Sequence, residues 1–269
     1  MKKKRLMIYC VPLLLLLLGT CGPGDAPGPA PVFPDFELPY DLSAPDRTFE
    51  MPGKLEEISG LSLRAGGEHF LAIQDEDGII FEIDKSEGAV TREIDFWKDG
   101  DYEGIEAVGE TVYAVKSSGT LYRIRYSEAD YLAVEKFNTH LGSRNDVEGL
   151  AYDTAGHRLL LACKGAAGQG ETYRFKKAIY AFDLKTMSLD SLPAYLISLE
   201  DVQAYLGTSP TVRKLEKLIE YFSLDKSEFV FSPSAIAIHP YSGHLYITSS
   251  VGKLLMVLDE AVRILKKKK

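Results

Sequence analysis

The stretch Glu103-Gly104-Ile105 has three counterparts in this chain: Ser59-Gly60-Leu61, Glu148-Gly149-Leu150 and Ser234-Ala235-Ile236. The copies that begin at positions 59, 103 and 148 are 44 and 45 residues apart. A period in the forties is typical of architectures in which similar units stack, because one unit alone cannot bury its apolar face. Each copy should therefore open one structural unit.

The residues after each copy predict three further short strands. These runs are alternating or wholly apolar, and turns rich in Gly, Asp, Asn and Ser separate them. Four such strands indicate one antiparallel sheet, and stacking the sheets radially buries both faces of each. The sequence therefore predicts an all-β fold, a β-propeller of four-stranded antiparallel blades, with nearly four repeats present. The predicted strands of the second repeat after its opening copy are 112–119, 120–124 and 132–137.

The third and fourth copies are separated by a helical insertion at about residues 200–230. Ser209 can cap a helix and Pro210 can occupy its first turn. Apolar residues then recur at helical spacing as far as Phe222. This helix is expected either to lie on the propeller rim or to act as a lid or a docking element for a partner.

The first 20 residues have the layout of an export signal. Lys2–Arg5 are basic, and the apolar run up to Leu18 is shorter than the roughly 20 residues that a membrane span needs. Leu18–Cys21 resembles the lipobox of bacterial lipoproteins, although Thr20 stands where a smaller residue is commoner. We expect lipidation at Cys21, and the alternative is ordinary cleavage to a soluble secreted protein.

The rest of the chain divides into a tether, a body and a tail. Residues 21–39 are rich in Pro and Gly and predict an extended spacer. Residues 40–265 are expected to form the propeller, and the lysines at 266–269 a solvated basic tail. Cys163 is the one cysteine of the body, so an intrachain disulfide is excluded there and buried packing is expected.

The charge of the chain argues against nucleic acid as a partner. Its 31 basic and 39 acidic residues give a net charge of −8, and the body without the signal is more acidic still. An acidic surface repels phosphate backbones. The expected partners are a membrane, reached through the lipid anchor, and an unknown protein or small-molecule ligand.

Several segments together resemble the SdiA-regulated (YjiK/CarP-like) family of bacterial envelope β-propellers. They include Gln74–Gly78, Asp101–Glu106 and Asp146–Tyr152, and the likeness extends over roughly residues 38–259. The resemblance implies a propeller at the bacterial cell envelope, a link to calcium physiology and no established enzymatic activity. Family members continue with a further repeat that finishes the ring. The resemblance therefore implies an incomplete five-bladed ring here, with an unmatched strand near Arg47–Met51.

Aligning the repeats predicts a ligand site in the central channel. Two sets of equivalent positions should line it: Ser59, Glu103, Glu148 and Ser234 at the start of the innermost strand, and Asp75, Lys116, Lys164 and Ser249 near the end of the next strand. Carboxylates brought together raise one another's pKa, and a nearby lysine or bound cation lowers these pKa values again.

Three interpretations of this channel compete. Glu103 and Glu148 could be neutralised by Lys116 and Lys164. Alternatively, a Ca²⁺ site could use oxygens from Asp75, Glu103, Glu148, Asn145 and Asp146, since calcium binds six to eight oxygens. The third interpretation is metal-dependent hydrolysis of lactones or esters. Against it, the five histidines are scattered along the sequence, and the usual hydrolase and phosphate-loop motifs are absent.

The expected function is therefore binding or scaffolding at the bacterial envelope, without catalytic residues. The residues after Cys21 lack the Asp that is associated with retention in the inner membrane, which favours the outer membrane or the cell surface.

Overall fold

The computed structural model describes residues 36–127, 131–206, 231–259, 261 and 263–268. Its strands form four antiparallel sheets. The first contains β1 (Ile58–Leu63), β2 (His69–Gln74), β3 (Ile79–Asp84) and β4 (Val90–Asp95). The second contains β5 (Tyr102–Val108), β6 (Thr111–Lys116), β7 (Leu121–Tyr126) and β8 (Leu132–Phe137). The third contains β9 (Val147–Asp153), β10 (Arg158–Cys163), β11 (Lys176–Asp183), β12 (Ser188–Leu189) and β13 (Tyr195–Ser198). The fourth contains β14 (Pro233–Ile238), β15 (Leu245–Ser249), β16 (Leu254–Leu258) and β17 (Ile264–Lys268).

Each sheet is one propeller blade whose strands follow one another in chain order from the centre outwards. In the third blade the outermost strand is divided, because β12 and β13 both pair with β11. Pro193 lies between these two strands and cannot donate a ladder hydrogen bond. The predicted all-β propeller of four-stranded antiparallel blades is thus confirmed for four blades, whereas a five-bladed ring stays a prediction.

The repeated glycine follows from the crowding of the innermost strands. A Cβ atom on Gly60 would lie 2.9 Å from the backbone nitrogen of Ile105, and one on Gly149 would lie 2.9 Å from that of Ile236. A side chain at either position would therefore separate neighbouring blades. The pattern that reveals the repeat in the sequence marks the place where the blades approach most closely.

Apolar side chains from facing blades fill the three spaces between neighbouring blades. Residues at the centres of these clusters are Leu71, Ile80 and Tyr122 between the first two blades, Val115, Leu161 and Tyr180 between the next two, and Leu160, Ile179 and Ile247 between the last two. Cys163 belongs to the middle cluster and is fully buried. Burial raises the pKa of its thiol to about 12, which fits a packing role and not a reactive one.

The segment before the first blade is not a strand, contrary to the prediction for Arg47–Met51. It lies along the turn between β3 and β4, where the Arg47 guanidinium donates a hydrogen bond to the carbonyl of Ser86 at 3.2 Å. Further upstream, the Tyr40 ring contacts the rings of His239 and Tyr246 on the fourth blade. Side-chain contacts therefore hold this segment in place of a backbone ladder.

The C-terminal lysines differ from the expected solvated tail. Residues 264–268 form β17, which pairs with β16 and places Lys268 opposite Leu255. The backbone supplies the ladder hydrogen bonds whatever the side chain is.

The insertion in the third repeat begins with α1 (Leu199–Leu206). The helix predicted from Pro210 to Phe222 lies outside the described residues. Across the described part of the chain, no helix is long and apolar enough to cross a bilayer. The predicted signal segment and Cys21 also lie outside the described residues.

Candidate functional site

The innermost strands of all four blades line one cleft of about 420 Å³ at the propeller centre. It contains Ser59, Glu103 and Glu148 together with the glycines that follow them, and Ala235 from the fourth blade. Tyr246 and Thr248 of β15 and Leu255 of β16 complete its wall. The structure thus brings Glu103 and Glu148 into one cavity.

A β-bulge occurs at the start of the innermost strand in every blade. The register between the first two strands shifts once in each sheet, at the residue that the repeat alignment singles out. A bulge re-aims a side chain, and such bulges are common beside binding sites. The bulged residues are Ser59, Glu103, Glu148 and Ser234.

Glu148 forms an ion pair at the channel mouth. The Lys164 ammonium donates to its Oε1 at 2.6 Å, and Lys164 also lies 3.8 Å from the carboxylate of Asp146. Burial nevertheless raises the pKa of Glu148, and the nearby Lys164 only partly opposes this. Lys164 is therefore shared between two acidic side chains.

Glu103 is the more perturbed carboxyl group. Burial, assisted by the negative charge of Glu148 and by a hydrogen bond with Asp101, raises its pKa to about 8. The hydroxyl of Ser117 donates a hydrogen bond to Asp101. At neutral pH Glu103 holds a proton, so the channel mouth has more acidic groups than its cations can balance.

Lys116 does not neutralise Glu103, contrary to one of the sequence-based interpretations. Its ammonium lies 4.5 Å from the centre of the Tyr102 ring and donates to the carbonyl of Asp99 at 3.3 Å. A cation over an aromatic ring is attracted by the ring quadrupole. This lysine therefore holds the link before β5 against the second blade and does not serve the channel.

The predicted serines have structural partners. Ser59 donates to the carbonyl of Tyr102 at 2.7 Å, and Ser249 donates to that of Val251 at 2.9 Å. The Ser234 hydroxyl lies 3.0 Å from that of Thr248. These hydroxyls fix the backbone around the bulges.

The predicted calcium ligands are not assembled in one place. The Asn145 side chain is engaged in the loop before β9, where it accepts from the nitrogen of Gly142 and donates to the carbonyl of Ala166. Asp75 follows β2, and its Oδ1 is buried without a hydrogen-bond partner among the described residues. In that part of the chain no three His, Cys, Asp or Glu side chains are placed to hold a metal ion.

Two acidic residues near the channel were not predicted from the sequence. Asp101 precedes Glu103 by two positions, as Asp146 precedes Glu148, so the repeated Asp-x-Glu spacing was an available signal. Glu106 lies deeper between the inner strands and accepts a hydrogen bond from Ser62 at 3.0 Å. Burial raises its pKa to about 7, and only the tertiary packing reveals this.

Comparisons with solved structures find other proteins of low sequence identity. Hydrazine synthase of Kuenenia stuttgartiensis has 12% identity and a TM-score of 0.46, over 84% of this chain and 52% of that one. Virginiamycin B lyase of Staphylococcus aureus has 11% identity and a TM-score of 0.46, over 85% and 61%. Glutaminyl cyclase of Myxococcus xanthus has 12% identity and a TM-score of 0.45, over 76% and 73%.

These similarities carry no functional information, and this chain spans about half the length of the hydrazine synthase chain. No curated protein matches the sequence significantly. The sequence model of one protein family, described as SdiA-regulated, matches residues 45–269, which include all four blades. The chain therefore belongs to the SdiA-regulated family.

Proposed function

We propose that this protein is a non-enzymatic binding propeller whose channel mouth takes a cation beside Glu103 and Glu148. The observation that supports this most directly is the bulge repeated in all four blades, since it presents both carboxyl groups to one cleft. Glu103 holds a proton at neutral pH because burial and the neighbouring carboxylates disfavour a further negative charge at this site. A cation can take the place of that proton.

Calcium is the first cation to test, because its ligands are hard oxygen atoms. Glu103, Asp101 and Glu148 would supply carboxylate oxygens after a rearrangement that brings the three side chains around one point, and water would complete the shell. Binding requires the proton of Glu103 to leave and Lys164 to release Glu148. Affinity should therefore be low near pH 6 and should rise as the pH passes about 8.

Isothermal titration calorimetry with CaCl₂ at pH 6, 7.5 and 9 tests this proposal. We expect binding that strengthens with pH and that is lost in Glu103→Gln. Glu110→Gln is the matched control, because Glu110 is an exposed residue of the same blade. Absence of calcium binding at pH 9, or equal binding by both variants, would refute the proposal.

Metal-dependent hydrolysis, the alternative from the sequence, would use the same carboxylates. The histidines have other neighbours: His157 bonds with the Tyr152 hydroxyl, His239 with Ser242, and His140 contacts the Tyr180 ring. A screen of lactones and esters with the calcium-loaded protein distinguishes the two functions. Hydrolysis that disappears in Glu148→Gln would favour the enzyme.

We also propose that the propeller is held at the bacterial envelope by a lipid on Cys21. The support is the sequence pattern Leu18–Cys21 and the Pro-rich spacer that follows it. Such a tether would hold the channel at a distance from the membrane and leave its mouth accessible to ligand.

A further inference from the structure

The link between the second and third strands of the third blade is longer than in the other blades. It runs from residue 164 to residue 175, which is 12 residues, whereas the equivalent links 75–78, 117–120 and 250–253 each have four. Long loops on a rigid scaffold are frequent binding elements. This link emerges beside the channel mouth, since Lys164 is its first residue.

The long link forms the wall of a cavity of about 860 Å³ that is separate from the central cleft. Arg144 before β9, whose carbonyl accepts from the nitrogen of Ala166 in the link, and the serines at 232 and 250 also line the cavity. A volume of this size suits a small organic molecule. The buried Lys177 anchors the start of the link, because its ammonium donates hydrogen bonds to the carbonyls of Lys164 and Gly165.

The cavity is basic although the chain is acidic overall. Five of its lining side chains are cationic and two are anionic: Arg144, Lys164, Arg174, Lys176 and Lys177 against Asp146 and Glu171. Lys164 is paired with Glu148 and Asp146, and Arg174 lies 3.4 Å from Glu171. Neither Arg144 nor Lys176 has an ion-pair partner among the described residues.

The backbone of the link is held in an unusual conformation. Phe175 has a φ of +56°, which is rare for a bulky side chain, and the residue remains 39% exposed. The Arg174 guanidinium lies 4.9 Å from the centre of this ring, and the carbonyl of Phe175 accepts from the nitrogen of Leu199 at 3.0 Å. Strain of this kind persists where the surroundings fix it, and it is common at ligand sites.

We infer that this cavity binds a small polyvalent organic anion, with Arg144 and Lys176 as the cations that contact its carboxylate or phosphate groups. Two cations that line one cavity, without ion-pair partners in the described part of the chain, match a ligand with at least two negative groups. The exposed face of Phe175 can pack against an apolar part of the ligand. This site differs from the cation site of the channel and shares Lys164 and Asp146 with its surroundings.

Calorimetric titration of the full chain with citrate and with inorganic pyrophosphate tests the inference. We expect binding of at least one of these probes, weakened by added NaCl. The double variant Arg144→Gln/Lys176→Gln should weaken binding by about tenfold for each of the two cations removed. Lys185→Gln, an exposed change in the same blade, should bind like the unmodified chain.

Thermal melting of each variant without ligand shows whether the fold is retained. We expect it to be retained, because both replaced side chains lie at the surface of a cavity. A preference for citrate or for pyrophosphate would identify a carboxylate or a phosphate as the natural group. The inference is overturned if neither probe binds, if NaCl has no effect on binding, or if the folded double variant binds as tightly as Lys185→Gln.

Discussion

Replacing Glu103 with Gln should stabilise the protein at high pH and leave its stability unchanged at low pH. The folded protein raises the pKa of this carboxyl group to about 8 from an ordinary value of 4.5. The unfolded chain therefore loses the proton first, so the free energy of unfolding falls as the pH rises from about 4.5 to about 8. Glutamine resembles the protonated acid and does not ionise, which removes this dependence.

The size of the effect follows from the same two pKa values. Their difference corresponds to roughly 5 kcal/mol if burial acts at full strength. The channel mouth opens to solvent and can relax on ionisation, so about 2 kcal/mol is a realistic expectation above pH 8. With a urea dependence of about 2 kcal/mol per molar, this moves the unfolding midpoint by roughly 1 M.

Urea unfolding at pH 5, 7 and 9 measures this directly. Glu103→Gln should match the unmodified protein at pH 5 and exceed its midpoint at pH 9. Glu110→Gln removes an exposed carboxyl group of the same blade and should follow the unmodified protein throughout. An equal difference between the unmodified protein and Glu103→Gln at all three pH values would contradict this prediction. In that case the pKa of Glu103 is not raised, and the proposal of surplus acidic charge in the channel is wrong.

Three further predictions concern other parts of the chain. Tyr126→Phe removes the hydroxyl that donates to buried Glu82 at 2.7 Å, and should lower the free energy of unfolding by about 1.5 kcal/mol in urea titrations. Gly149→Ala should cost about 1–3 kcal/mol, because its Cβ would meet the fourth blade, whereas Gly142→Ala, with open space around its Cβ, should cost far less by the same assay. Cys21→Ser should abolish incorporation of a labelled fatty acid in cells; equal labelling of both proteins would rule out Cys21 as the lipid site.

The propeller could be predicted because short sequence motifs, repeated along the chain, specify each blade. Copies of the Gly104 motif, alternating apolar runs and glycine turns each specify one part of a blade. The same requirements recur after 44 and 45 residues in the first three repeats, and after 86 residues where the insertion precedes the fourth. The prediction of a strand at Arg47–Met51 was wrong because the segment joins no ladder, and Phe49 packs by its side chain against the turn at Gly88. The strand β17 was not predicted because its pairing depends on the backbone and on the neighbouring β16.

The channel site could be predicted only in part. Aligning the repeats placed Glu103 and Glu148 at equivalent positions, and the bulges show why those positions face the centre. The alignment misassigned the lysines, because it treats Lys116 and Lys164 as equivalent, whereas the strand registers make Lys116 equivalent to Cys163 and Lys164 equivalent to Ser117. Successive side chains of a strand point to opposite faces, so an offset of one residue gives the two lysines different neighbours.

By itself, the sequence determined the class of fold, the positions of the blades and the pairing of the three inner strands of each blade, because these depend on residues close together along the chain. The tertiary structure alone decided that Glu103 keeps a proton, that Lys116 lies over an aromatic ring and that the link before Lys176 encloses a basic cavity. Burial and electrostatic interaction depend on distances in space, and those distances are set when separate blades pack against one another.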